Sequence, residues 1–243
     1  MIKFFRKIRH DLLSKGKTGK YLKYAIGEIV LVVIGILIAL SINNWNQNRL
    51  NIETSNNFHL RISDELESIS DRFDNDEKRA EKVVEYIGKT VEILKNGKLT
   101  ESAKDTLNYT LQNFFQFVRF DGGLKTLQEM ENTGQLDLIY NKDLKKQTLE
   151  YLAFLESVSK IYDQIAVQVN DTDFIDKYVT IIIGSDARNN KFEYEFSEMS
   201  NDKYLINKLG RYGFQWQAKQ FFSNSLSKSS NDLKEAFLKE LDK

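Results

Sequence analysis

Cysteine and proline are both absent from the 243-residue chain. Without a thiol there is no disulfide, no Cys-ligated zinc, no iron–sulfur cluster and no thiol nucleophile. Without proline there is no residue that breaks a helix by losing its N–H and clashing with the preceding turn. An average usage of about 5% would supply roughly a dozen prolines in such a chain, so their absence points to long, uninterrupted helices. Histidine is scarce too: the two present, His10 and His59, lie on opposite sides of a long apolar run and cannot share a site. A His-based triad and a multi-His metal centre are thereby excluded, and His59 reads as a surface residue. No phosphate-cradling glycine loop, nucleophile elbow or H-E-x-x-H pattern occurs.

Acidic groups do cluster, at Asp71, Asp74, Asp76 and Glu77 and again at Asp171, Asp173 and Asp176. Neither cluster has the glycine and distal glutamate of a calcium loop, so both read as solvated helix faces or turns. No metal or other cofactor is expected.

Net charge is missing as well, with 35 Lys and Arg against 35 Asp and Glu. The balance conceals a division. Residues 1–24 hold eight basic side chains and one acid, a net +7, and the remaining 219 residues hold 27 basic and 34 acidic ones, a net −7. Between these halves, residues 25–42 read AIGEIVLVVIGILIALSI, in which Glu28 is the one charge. A helix of about 20 residues rising 1.5 Å each spans the roughly 30 Å hydrocarbon core of a bilayer. Tyr21 and Tyr24 on one flank and Trp45 on the other are suited to the two interfaces. A transmembrane helix over residues 24–44 is therefore expected, with residues 1–23 held in the cytoplasm by their positive charge and residues 45–243 on the far side. Ala39-Leu40-Ser41 resembles a signal-peptidase site, but the basic stretch and the apolar span are both long for a signal peptide, which favours an uncleaved anchor.

Within residues 1–23, the stretch IKFFRKIRHDLL sets apolar residues at helical spacing among Lys3, Arg6, Lys7 and Arg9. This is the pattern of a basic amphipathic helix lying on an anionic leaflet. It is too short and too apolar for a nucleic-acid site. Glu28, inside the span, either snorkels to the interface or makes a polar contact with another membrane helix. Gly35 and Ala39 lie on its side of the helix at small-xxx-small spacing, which allows close helix–helix approach. Glu28, Gly35 and Ala39 are thus candidate contacts for a partner subunit or a second copy.

Past the span, Phe58, Ile62, Leu66, Ile69, Phe73, Ala80, Val83, Ile87, Val91 and Leu94 follow steps of three and four, with Asp76 as the polar interruption. That helix ends at Asn96-Gly97, and asparagine-rich residues 43–57 suggest a break before it. A second helix starts near Ser102 and stops at Asp121-Gly122-Gly123, and a shorter piece follows over residues 124–132. Asn141 caps a third long helix through Val169, with an extension towards Ile182. Residues 192–196 alternate with period two, which suits a strand lacking a visible partner or an extended loop. The last helix runs from about Asp202 to the end, with a bend at the serine-rich residues 223–230. The expected fold is all-α: a basic amphipathic helix, one transmembrane helix, and an antiparallel four-helix-bundle-like domain.

Aromatic residues concentrate at Phe114, Phe115, Phe117 and Phe120, and at Tyr212, Phe214, Trp216, Phe221 and Phe222. Phe114, Phe115, Tyr212 and Trp216 either line an apolar pocket or fill the core of the domain.

The opening stretch KTGKYLKYAIGEIVLVVIGILIALSINNWN (residues 17–46), together with GQLDLIYN (134–141), Leu144 and Tyr151, resembles a family of uncharacterised single-pass membrane proteins of flavobacteria and related bacteria. The resemblance implies an inner-membrane anchor with a periplasmic helical domain, and it carries no activity or catalytic residues. The expected role is non-enzymatic: an interaction or scaffold component of the cell envelope, with the lipid bilayer and an envelope protein or a second copy as partners, and no nucleic acid. The alternatives are a small-molecule sensor domain that signals through a partner subunit, and an accessory subunit of a proton-driven envelope machine.

Overall fold

A computed structural model describes residues 18–120, 122–185 and 190–241. The basic amphipathic stretch of residues 2–13 lies outside them, as does the side chain of Tyr21. The chain divides into two compact units, the first ending at Asn56 and the second beginning at Asn57.

The first helix, α1, runs from Thr18 to Asn96 without interruption. The break suggested by the asparagines of residues 43–57 does not occur. Asparagine is a weak helix former but no helix breaker, and no glycine or proline lies between Gly35 and Gly88. α1 contains the one segment among the described residues that is long and apolar enough to cross a membrane. Its large apolar side chains over residues 26–42 are exposed. α1 stops at Gly97, whose φ of 62° is the left-handed conformation that glycine adopts without strain. The Gly97 N–H closes the helix on the Ile93 and Leu94 carbonyls at 3.1 and 3.2 Å.

In the second unit α1 is followed by α2 (Glu101–Asn113), α3 (Lys125–Asn132), a 3-10 turn (Leu136–Leu138) and α4 (Lys142–Val169). Then come α5 (Asp173–Asp176), β1 (Val179–Ile182), β2 (Lys191–Tyr194), α6 (Phe196–Asn201) and α7 (Lys203–Leu241). The caps match the chemistry of their sequences. Thr100 accepts from the Ala103 N–H at α2, and Asn141 accepts from the Asp143 and Leu144 N–H groups at α4. Three long helices, α1, α4 and α7, carry most of the core, and the shorter α2 and α3 complete it. α7 runs antiparallel to α1, as the pairs Glu67–Lys234, Ser70–Ser227 and Asp76–Lys219 record. It is antiparallel to α4 as well, through Tyr151–Ser230, Tyr162–Ser223 and Gln168–Gln215.

Two expectations are corrected. The domain is not wholly helical: β1 pairs with β2 in an antiparallel register that sets Val179 opposite Tyr194 and Ile181 opposite Phe192. The partner of the strand-like stretch is the segment read as the tail of the third helix. Residues 179–183 are Val, Thr and three isoleucines, β-branched side chains that favour strand, and α4 ends ten residues earlier at Val169. α7 continues as a helix through the serine-rich stretch. His59 is not on the surface, being buried with 5% of its area exposed.

Candidate functional site

Both faces of α7 carry residues that an ordinary packed helix would not have. On the inward face, Leu205, Leu209, Tyr212, Trp216, Lys219, Ser223, Leu226, Ser230, Leu233 and Phe237 follow one another in steps of three and four, and all are buried. Lys219 occupies the central position of this stripe. Its Nζ donates to the Val118 carbonyl at 2.7 Å and lies 3.3 Å from Oδ2 of Asp76. The ammonium faces the rings of Phe117 and Tyr162 at 4.7 and 5.3 Å, an arrangement attractive to a cation. Asp76 is the polar interruption of α1, so the anomalies of two stripes neutralise each other. Burial holds the Lys219 amine below the usual lysine range, and the Asp76 charge partly opposes that shift.

The serines of α7 continue this polar seam. Ser227 donates to the Asp74 carboxylate. Ser70 lies 3.0 Å from the Ser227 hydroxyl and accepts from the Asn231 amide at 2.7 Å. The Tyr162 hydroxyl lies 3.0 Å from that of Ser223, and the Tyr151 hydroxyl 2.8 Å from that of Ser230. Burial pushes the Tyr151 phenol up to about 12 and raises that of Tyr162 as well. Lys219 and Ser223 stand one turn apart, the spacing of an amine base beside a hydroxyl nucleophile. Ser223 is nonetheless fully buried and bound by Tyr162, while the amine is directed to Val118 and Asp76. Both groups are therefore held by other partners inside the domain.

Of the four aromatic residues, Phe114, Tyr212 and Trp216 are buried in the core and Phe115 is half-buried against it. Phe114 stacks on Tyr212 with centroids 5.7 Å apart and planes at 16°, and Phe115 meets Phe114 edge-on at 5.5 Å. The Trp216 indole N–H donates to the Phe114 carbonyl at 2.8 Å. The Tyr212 hydroxyl closes the end of α4 by donating to the Gln168 and Asp171 carbonyls at 2.9 and 2.6 Å. Of the four, Tyr212 borders a cavity of about 310 Å³ between the end of α4 and the start of α7. A second cavity, of about 220 Å³, is walled by leucines including Leu124, Leu127 and Leu152, with Gln128, Glu131 and Lys145 also in its lining.

The outward face of α7 holds what the sequence reasoning missed. Phe214 and Phe221, counted among the aromatic cluster, are 71% and 65% exposed. The signal was present in the spacing. At 100° per residue, Phe214 lies about 200° behind Trp216 and Phe221 about 140° past it once full turns are removed, so both sit away from the core stripe.

In the apolar segment, nothing lies within 4 Å of the position a Cβ would take at Gly35, and Ala39 is exposed. Glu28 is half-buried. Tyr24 and Trp45 are exposed at the two flanks. Among the described residues, no three His, Cys, Asp or Glu side chains come together as a metal site.

Residues 28–111 match the model of a family of unknown function, DUF6090. No curated protein and no solved structure matches the chain. The DUF6090 match takes in α1 from Glu28 and α2 as far as Leu111. It includes the tie between the two helices, where the Thr90 and Thr110 hydroxyls are 2.7 Å apart and the Tyr86 and Tyr109 rings 4.0 Å apart. α4 and α7, which supply Tyr162, Lys219 and the exposed phenylalanines, lie outside it.

Proposed function

We propose that this protein is a non-enzymatic, membrane-anchored interaction component of the bacterial envelope. Residues 24–44 cross the inner membrane once, the basic N-terminal segment stays in the cytoplasm, and the four-helix-bundle-like domain stands in the periplasm. The observation that carries the reading is the pair of phenylalanines, Phe214 and Phe221, exposed on the outward face of α7. Large aromatic side chains left in water are characteristic of surfaces that are covered by a partner. The interior supports the same view, since its lysine, tyrosines and serines are engaged with one another and are closed to substrate. Extraction of the full chain in mild detergent, followed by mass spectrometry of co-purified proteins, tests it. A stoichiometric envelope protein is the expected result, and repeated isolation of the chain alone counts against the proposal.

The leucine-rich cavity beside α3, with a few polar groups in its wall, supports one other reading, a sensor domain for a small, largely apolar ligand. That reading requires a rise in the melting temperature of the full chain when short aliphatic compounds are added.

A further inference from the structure

The outward face of α7 differs in charge from the rest of the domain. Between Lys203 and Asn231 there is no acidic residue, in a chain that carries 34 acids against 27 bases from residue 25 onward. Two of the bases in this stretch are engaged internally, Lys219 with Asp76 and Lys208 with Asp171 at 2.7 Å. Arg211 and Lys228 remain on the exposed side. Arg211, Phe214, Ala218, Phe221, Ser225 and Lys228 follow steps of three, four, three, four and three, so they form one seam along the helix. Small Ala218 separates the two exposed rings, and a cation stands at each end.

We propose that this seam docks an acidic amphipathic helix of a partner protein, an inference that rests on the interaction role argued above. The gap at Ala218 admits an apolar side chain between Phe214 and Phe221, in the manner of helix packing by ridges and grooves. Covering such rings removes about 150–250 Å² each from water. Arg211 and Lys228 meet carboxylates near the two ends of the partner helix. Beside Arg211 opens the cavity of about 310 Å³, whose wall includes Asn207, Lys208 and Gln215. It receives one of those carboxylates, because the acid already in its wall, Asp171, is held by Lys208. A second copy of this chain laid alongside in parallel register would instead set Arg211 and Lys228 against their own counterparts. Charge therefore selects an acidic helix.

Photo-crosslinking of the full chain in intact membranes tests this. Benzoylphenylalanine replaces Phe214 or Phe221, with Leu149 and Ile182 as exposed reference positions on other surfaces. The expected adduct, at 214 and 221, is a protein segment of helical periodicity and net negative charge. Its yield falls about tenfold or more in the Arg211→Glu/Lys228→Glu variant. Arg211→Gln/Lys228→Gln supplies the same reading if charge reversal lowers the melting temperature. An adduct to lipid, to a second copy of this chain, or to a neutral or basic segment overturns the proposal. A protein adduct at Leu149 or Ile182 alone overturns the seam and leaves the interaction role standing. No protein adduct at any of the four positions removes both.

Discussion

Lys219 stands where its helix would otherwise place a leucine or methionine. A buried ammonium persists only when its hydrogen-bonding capacity and charge are met on site. Val118, Asp76 and the surrounding rings meet them here. Asp76→Leu leaves that charge without its counter-ion, and the expected loss of stability is about 3–5 kcal/mol. Lys219→Met in the same chain recovers most of that loss, the remainder reflecting the Val118 carbonyl left without a donor. Denaturant unfolding of the full chain in detergent, run as a double-mutant cycle, measures the coupling. Additive effects would show that the pair does not act as a unit. His59 is a second buried basic group. Neither of its ring nitrogens has a hydrogen-bond partner, and it packs edge-on against Phe237 at 5.2 Å. Burial lowers its pKa below the ordinary 6.5, with Glu240 pulling the other way. Below pH 6.5 the unfolded chain therefore binds a proton that the folded chain refuses. The stability present above that value is lost as pH falls from 6.5 towards the folded pKa. Melting temperatures between pH 7.5 and pH 5 are expected to decline in the natural chain and to decline less in His59→Leu. Equal slopes would dissociate His59 from the effect.

At the scale of elements, the ends and interiors of the helices make opposite demands on glycine. Gly97 ends α1 with φ at 62°, where a side chain is strained although nothing lies within 4 Å of the added Cβ. Gly210 sits within α7, where φ is ordinary and the space is equally open. Gly97→Ala should therefore cost about 1–2 kcal/mol. Gly210→Ala should add about 0.5–1 kcal/mol, since alanine loses less backbone freedom on entering a helix. Thermal unfolding of the two variants checks the signs, and a shared sign would refute the conformational account. Much of this layer was legible in the sequence because helix periodicity records burial directly. The stripe from Phe58 to Leu94 and the caps at Asn141 and Gly97 needed no tertiary information. The sheet was less legible: a strand of four residues is too short for a period, and β1 declared itself only through its partner across a loop. The buried serines of α7 are a related case. Small hydroxyl residues disrupt an isolated helix, but between α1 and α4 they admit Asp74, Tyr151 and Tyr162 without steric conflict. The exposed phenylalanines went unseen because residue type was weighed before phase.

At the scale of the whole molecule, the distribution of charge and apolar surface decides where each part resides. The apolar stretch of α1 exposes its large side chains over residues 26–42, a surface that water does not tolerate and a bilayer core does. A basic excess lies on one side of it, eight Lys and Arg against one acid within residues 1–24, and the acidic excess lies on the other. Translocation of a domain is governed by Lys and Arg near the span, so the proposed topology keeps the N-terminus inside. The chain lends itself to a direct test because it has no cysteine of its own. A single thiol at Ser14→Cys lies on the basic side of the span, and one at Glu156→Cys lies on the exposed surface of α4. A membrane-impermeant maleimide applied to intact spheroplasts should modify Glu156→Cys and leave Ser14→Cys untouched until detergent is added. Removing positive charge with Lys15→Gln, Lys17→Gln, Lys20→Gln and Lys23→Gln together should allow a fraction of chains to invert, so that Ser14→Cys becomes reactive from outside. The reverse pattern in the natural charge background would place the acidic domain in the cytoplasm. The seam on α7 would then have to meet a cytoplasmic partner, and the envelope role would fall with the topology.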